Sequence, residues 1–445
     1  RALSVATEHL AEIGGPKLLL LDPGDMYRAR SYAPLVAEEI AVSQRRHAVE
    51  TVDAVAALAE KHLPKGGVLI VAAQVVGNDT GPPAGFGPAI VWGPGAKGYL
   101  SSPSTHRTGL VTNLDVTATV LDMLGVVRPV QVVGSAMQWD NSTEPIGVRV
   151  EHLKRVNRTA VAVDSAKPVI VNTFIAMTTI VLLLSTVVLL RARRWGERAA
   201  TRVVRAGRAL LLLALAVPVA SWLMFAVNPL PQSAAAATVL FVSCVAGIWF
   251  VTLLVESRVA MRVPVAALSL VAAAILLVDQ WLGAQFSLTN FLGYSPLAGA
   301  RYYGIGNEAS ALLLGAIIVG VSFLFDEWPT SRWTAIGRKW VLPLVGAVVV
   351  GTATAPFLGA NIGMIVWGVV GFGLAWAQMN DHMIGVRTLL IGLAIVVVLI
   401  GAFSAYDLLG GAQQTHLGRA WASAERGGAS QLWTIVARKA ATNMR

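Results

Sequence analysis

The rhythm of apolar and polar positions changes partway along the chain. From residue 169 onward, nearly continuous apolar runs recur at about 169–190, 209–227, 234–255, 263–282, 308–325, 340–357, 362–379 and 388–406. Each approaches the roughly 20 residues a helix needs to cross a hydrocarbon core, so eight transmembrane helices are predicted. Before residue 168 the apolar runs are short and polar loops separate them. Segments 17–21, 67–73 and 89–95 read as buried strands, and 32–62 reads as a helix. Segment 111–124 reads as a second helix, capped by Thr112 or Asn113, with Val116, Val120, Leu121 and Leu124 on its apolar face. Strand–helix–strand alternation predicts an α/β fold with sites at the C-terminal ends of its strands. The expected organisation is an extracytoplasmic α/β domain over 1–166, an all-α polytopic membrane bundle over 167–406, and an extracytoplasmic tail with an amphipathic helix over 407–445.

Composition supports the membrane assignment. Of 445 residues, 55% are hydrophobic and 13% charged, about half the charged share of an average soluble domain. An ordinary soluble enzyme and a disordered chain are both excluded. The single cysteine, Cys244, excludes a disulfide framework and a Cys-based zinc site. A net charge of +10 would suggest a nucleic-acid partner, but its location argues otherwise. Residues 1–168 hold 16 Lys+Arg and 16 Asp+Glu, so the excess lies entirely in 169–445. The loops after the first, third, fifth and seventh spans hold 13 basic residues, whereas the alternate short loops hold Arg301 alone. Basic loops stay in the cytoplasm. The first domain and the tail are therefore expected outside, with membrane lipid rather than nucleic acid as partner. The chain starts at Arg1 without a signal peptide and ends in an amphipathic segment over 431–445, so both ends read as cut.

Ionisable groups at membrane depth are costly and mark function. Asp279 closes the fourth span. The loop after it contains Arg301-Tyr302-Tyr303-Gly304-Ile305-Gly306-Asn307-Glu308. Its two glycines let the backbone approach a ligand or a neighbouring helix, and Asn307 stands where it can cap the fifth span. Gly359-Ala360-Asn361 joins spans six and seven, and His416 follows span eight. Basic-loop topology places all of these on the outer face. Asp279, Arg301, Glu308 and His416 are the catalytic candidates. Tyr302, Tyr303, Gly304, Gly306, Asn307 and Asn361 are the substrate-binding candidates, in a cavity among spans four to seven. The competing reading is ordinary turn and cap residues, an interfacial Arg301–Glu308 ion pair and a solvated His416.

The first domain resembles a known family. Its elements lead into Ile90-Val91-Trp92-Gly93-Pro94-Gly95, then Ser104-Thr105-His106-Arg107-Thr108-Gly109 and Thr112-Asn113-Leu114-Asp115, continuing to Gly125. Over about residues 15–140 this order is similar to the C-terminal half of the alkaline-phosphatase superfamily core. That resemblance implies two metal ions held by Asp and His, and a phosphorylated Ser or Thr nucleophile from the N-terminal half, which this chain lacks. Asp22 matches a ligand Asp, and His106 falls at or near a ligand His. The family's Ser-Asp-His-Gly falls at Ala72-Ala73-Gln74-Val75, and the His expected shortly after Asp22 is missing. A catalytic zinc needs at least three protein ligands, so a divalent metal has most of its expected ligands absent and the domain reads as degenerate. The reading favoured over metal ligation for Asp22 and His106 is loop capping and surface hydrogen bonding.

The domain order is also similar to the ethanolamine-phosphate transferases of glycolipid anchors. It is closer to bacterial envelope proteins that carry Tyr-Tyr-Gly-Ile-Gly-Asn-Glu after such a domain, which Tyr302 to Glu308 matches without a gap. These resemblances imply a phosphotransferase or phosphohydrolase acting on a lipid-linked or polymeric envelope substrate. Transport or flipping of a lipid-linked or anionic substrate, with the outer domain as receptor or gate, is the alternative. A scaffold for envelope assembly is a third. The pattern leaves the oligomeric state open.

Overall fold

The structure, a computed structural model, describes residues 12, 14–73, 85–129, 132–191, 197–226, 230–287, 290–299, 301–327 and 331–409. Two compact units divide the chain: Arg1–Gly77 with Phe86–Glu151, and Asn78–Gly85 with His152–Arg445.

In the first unit, helix α1 spans Asp25–Tyr32 and packs on α2, Glu38–Lys61. Strand β1, Leu69–Ala72, pairs antiparallel with β2, Ala89–Trp92, in the register Leu69↔Trp92 to Ala72↔Ala89. Strand β3, Leu100–Ser101, pairs antiparallel with β4, Gln138–Trp139. Helix α3 covers Asn113–Met123. Segment 17–21 departs from its expectation. It forms no strand, and Leu18 to Leu21 are exposed. A strand exists only where a neighbour takes up its backbone N–H and C=O groups, and no neighbour reaches this segment among the described residues. The crossover through α2 consequently has no first strand, and the sheets are antiparallel pairs rather than a parallel sheet. Helix α3 follows its expectation, with Thr112 at the N-cap donating its backbone N–H to Asp115 Oδ2 at 2.8 Å.

The second unit is a helical bundle. Helix α4, Ile146–Arg191, begins in the first unit and runs unbroken across Lys167 and Pro168, where the charge balance of the sequence changes. It is followed by α5 (Glu197–Leu223), α6 (Ala234–Glu256), α7 (Arg262–Trp281), α8 (Asn307–Glu327), α9 (Arg332–Thr354), α10 (Gly363–Met379) and α11 (Val386–Leu409). Seven helices among the described residues are long and apolar enough to cross a membrane; α10, at 17 residues, is the shorter eighth. The chain is thus mostly helical and fits a multi-pass membrane protein. Trp222, Leu276, Ile305, Leu313, Leu342 and Met364 form the centre of the largest core, joining α5, α7, α8, α9 and α10. A second core joins α4, α5 and α6 through Ile170, Ala216, Ala220 and Phe241. Helix α11 instead leaves Leu389, Val397 and Val398 exposed, as a lipid-facing helix does.

Candidate functional site

The C-terminal end of α7 builds one side of the site. Asp279 is 1% exposed and accepts hydrogen bonds from Phe286 N at 2.8 Å and Ser287 Oγ at 2.5 Å. Ser287 Oγ in turn accepts from Gln280 Nε2 at 3.1 Å. Asn290, also 1% exposed, donates to Phe286 O and accepts from Leu292 N. These buried polar side chains fold the chain back against the end of its own helix. The loop's backbone groups therefore have partners in an apolar setting, where an unpaired group costs about 1–3 kcal/mol.

The loop then crosses the turn between α9 and α10. Gly304 has φ +73°, and a Cβ there would lie 2.3 Å from Gly359 O. Ile305 N donates to the same carbonyl at 2.8 Å. Both the left-handed backbone and the contact require glycine. Asn361 locks the crossing. Its Nδ2 donates to Ser310 Oγ at 2.9 Å, Asn307 Oδ1 at 3.2 Å and Ile305 O at 3.3 Å. Ser310 Oγ donates onward to Gly306 O. At Gly306 a Cβ would strike the Tyr294 ring at 2.2 Å. The structure thus brings together Arg301, Gly304, Gly306, Asn307 and Asn361, which the sequence separates into two motifs.

Charge gathers at the same place. Arg301 Nη1 donates to Gly359 O at 3.3 Å, and its guanidinium carbon lies 5.9 Å from the centre of the Tyr294 ring. Tyr303 and Glu308 lie within its electrostatic reach. Lys167, from α4, donates its Nζ to Gly293 O and lies within reach of Asp164 and Glu308. Lys167 therefore reaches the loop from α4 at Gly293, and Arg301, within the loop, ties it to the α9–α10 turn. Glu308 is exposed in the first turn of α8 and attracts both. Such an arrangement can neutralise an anion and offers a carboxylate that can take a proton.

Tyr302 and Tyr303 are half-buried in the same loop. His416 lies outside the described residues. In the first unit, exposed Asp22 accepts from Gly24 N at 2.9 Å, a loop-capping bond. His106 sits at φ +52°, and partial burial together with the Arg107 guanidinium lowers its pKa. Among the described residues, no three His, Cys, Asp or Glu side chains converge where they could hold a metal ion. Asp22 and His106 thus do not fit a metal centre, and no chemistry is routed through one.

Two residues are prominent here but are not among the sequence candidates. Lys167 is legible only as a lysine beside a proline at the edge of the first long apolar run. Asp115 is fully buried and accepts from Thr112 N, Ser104 Oγ at 2.6 Å and Ser135 N at 2.9 Å. Its signal is the Thr-x-x-Asp spacing at the start of α3.

Fold and site together define a multi-pass helical membrane protein with a polar cluster at one end of its bundle. Comparison with protein-family models, curated proteins and solved structures finds no match for this chain.

Proposed function

We propose that the chain binds a phosphate-bearing, lipid-linked envelope substrate at the outer membrane face, where the Arg301–Glu308 loop meets the Gly359–Asn361 turn. The observation that carries this reading is that Lys167 bonds the loop that bears Arg301, with exposed Glu308 within electrostatic reach of both. Two fixed cations suit a phosphate ester, and the apolar helices around them suit its lipid tail. The reaction is phosphoryl transfer or hydrolysis. The attacking hydroxyl oxygen bonds phosphorus as the bond from phosphorus to the lipid oxygen breaks; Lys167 and Arg301 hold the phosphate charge, and Glu308 takes the hydroxyl proton and returns it to the departing lipid alkoxide. The first unit, in this reading, is a degenerate alkaline-phosphatase-like module that presents the polymeric or acceptor substrate without metal chemistry of its own.

One observation favours transport instead. Among the described residues of 293–306 the only helical piece is a 3-10 turn at Pro296–Ala298, and the segment crosses the α9–α10 turn in backbone contact at Gly304. Broken-helix segments of this kind line the substrate sites of transporters.

The test uses the full chain in phospholipid nanodiscs with polyprenyl phosphate and polyprenol. Native mass spectrometry should show the phosphate form retained and the neutral alcohol not. Arg301→Ala and Lys167→Ala should each weaken retention at least tenfold. Unchanged retention in both variants would sink the proposal. Release or transfer of phosphate by the wild type separates chemistry from transport, which instead moves the lipid between leaflets of a proteoliposome.

A further inference from the structure

A second polar cleft lies in the first unit, lined by none of the residues of the proposed phosphate site. A cleft of about 370 Å³ opens between α1 and α2, within the roughly 300–1,000 Å³ of small-molecule sites. Asp25, Arg28 and Tyr32 face it from α1 at helical spacing, and Ser43, Gln44 and His47 face it from α2. Both helices also contribute an alanine, Ala29 and Ala48, and these short side chains leave the space between them open.

The chemistry of the walls narrows the ligand. Arg28 is not free for an anion. Its Nη2 donates to Asp25 Oδ1 at 2.7 Å and to Pro23 O at 2.9 Å, which pins and neutralises it. His47 Nδ1 lies 3.7 Å from Glu50. Asp25 and Arg28 cancel, and Glu50 stands beside His47, so the lining offers no uncompensated cation to a phosphate or a carboxylate. An apolar ligand is disfavoured by walls of carboxylate, guanidinium, amide, hydroxyl and imidazole. Tyr32 adds an aromatic ring that is half exposed. Gln44 lines the cleft, and its Oε1 is buried without a hydrogen-bond partner, so turning the amide into the cleft toward a ligand O–H would satisfy it.

A neutral ligand with many hydroxyls and one apolar face meets all of these conditions. We infer that the α1–α2 cleft binds a saccharide unit. Tyr32 stacks on the C–H face of the sugar, Gln44 accepts a hydroxyl proton through Oε1, and the fixed Asp25–Arg28 pair receives neighbouring hydroxyls in its plane. The inference is independent of the proposed phosphate site, and either can fail without the other.

The experiment is saturation-transfer NMR on the full chain in phospholipid nanodiscs, which present no sugar headgroups, with maltotriose, mannotriose and chitotriose as probes. At least one trisaccharide should receive transfer. Tyr32→Ala and Gln44→Leu should each weaken that binding at least tenfold, and Tyr32→Phe, which keeps the ring, should hold it within threefold. Arg301→Ala should leave it unchanged, since that residue belongs to the other site. Tyr32→Phe also serves as the readout if Tyr32→Ala does not fold. The inference is overturned if none of the three sugars receives transfer, if Gln44→Leu binds like the wild type, or if millimolar inorganic phosphate displaces the sugar.

Discussion

Among the described residues, each unit buries one carboxylate almost completely, and the two are placed oppositely on their helices. Asp115 is fully buried in the first turn of α3, and Asp279 is 1% exposed in the last turn of α7. A helix N-terminus attracts negative charge and a C-terminus repels it, by about 0.3–1 kcal/mol at each end. Asp115 meets two backbone N–H groups and a serine hydroxyl that tie α3 to distant loop residues. Asp279 meets Phe286 N and Ser287 Oγ from the loop its own helix leads into. The first carboxylate sits where folding favours a charge. The second sits at the unfavourable end of a helix in an apolar bundle, beside a loop with two cations. Stability accounts for Asp115. Asp279 sits where the helix end opposes a charge, and under the proposed function its carboxylate would serve the adjacent loop.

The largest effect should come from Asp115→Asn. An amide replaces one acceptor oxygen with a donor, so at least one of the three donors faces N–H rather than oxygen. The expected loss is about 3–4 kcal/mol from the first unit. Denaturant unfolding of the full chain, or limited proteolysis around 104–135, measures it. A loss below about 1 kcal/mol would remove Asp115 as the organising group of its unit.

Next comes the glycine crossing. Gly304→Ala places a methyl 2.3 Å from Gly359 O and forces a side chain into the left-handed region. A destabilisation of about 2–4 kcal/mol is expected in the second unit, adding overpacking and backbone strain. Asn361→Leu should cost about 1–3 kcal/mol, because it strands Ser310 Oγ, Asn307 Oδ1 and Ile305 O. A double-mutant cycle of Asn361→Leu with Ser310→Ala should show coupling above about 0.5 kcal/mol. Strict additivity would mean the crossing is held by packing alone.

Much of the bundle is legible from sequence because a membrane span is a local signal. Continuous apolar runs locate the helices, and even the 17 residues of α10 lie inside a predicted span. The loops are legible as lists but not as geometry. Arg301 and Gly359 are 58 residues apart, and Lys167 and Gly293 are 126 apart. No periodicity links such pairs. Lys167 was invisible for a further reason: a lysine beside a proline at the edge of an apolar run reads as a boundary marker. Segment 17–21 shows the opposite failure. Its apolar residues suit a strand, but pairing depends on a partner elsewhere in the chain. Asp115 lies between the two cases. Thr112-Asn113-Leu114-Asp115 announces a helix start, whereas the bond to Ser135 closes only in three dimensions.

The smallest stability effect, and the sharpest test of the comparison, belongs to Asp279→Asn. The amide keeps an acceptor for Phe286 N or Ser287 Oγ and removes a buried charge from a helix C-terminus. These changes offset, so the second unit should change by less than about 1 kcal/mol in either direction. Asp279→Ala, which leaves both donors unpaired, should cost about 2 kcal/mol. If the carboxylate is retained for the chemistry of the adjacent loop, Asp279→Asn should lower polyprenyl phosphate binding or turnover at least tenfold while thermal unfolding stays near that of the wild type. A loss of several kcal/mol, matching Asp115→Asn, would make Asp279 a structural residue and erase the contrast between the units. A stable variant with unaltered binding and turnover would remove Asp279 from the site and leave Arg301, Lys167 and Glu308 to carry it. Because the substitution is nearly isosteric, a functional loss without a stability loss would come from the carboxylate's charge, proton or acceptor oxygens and not from packing.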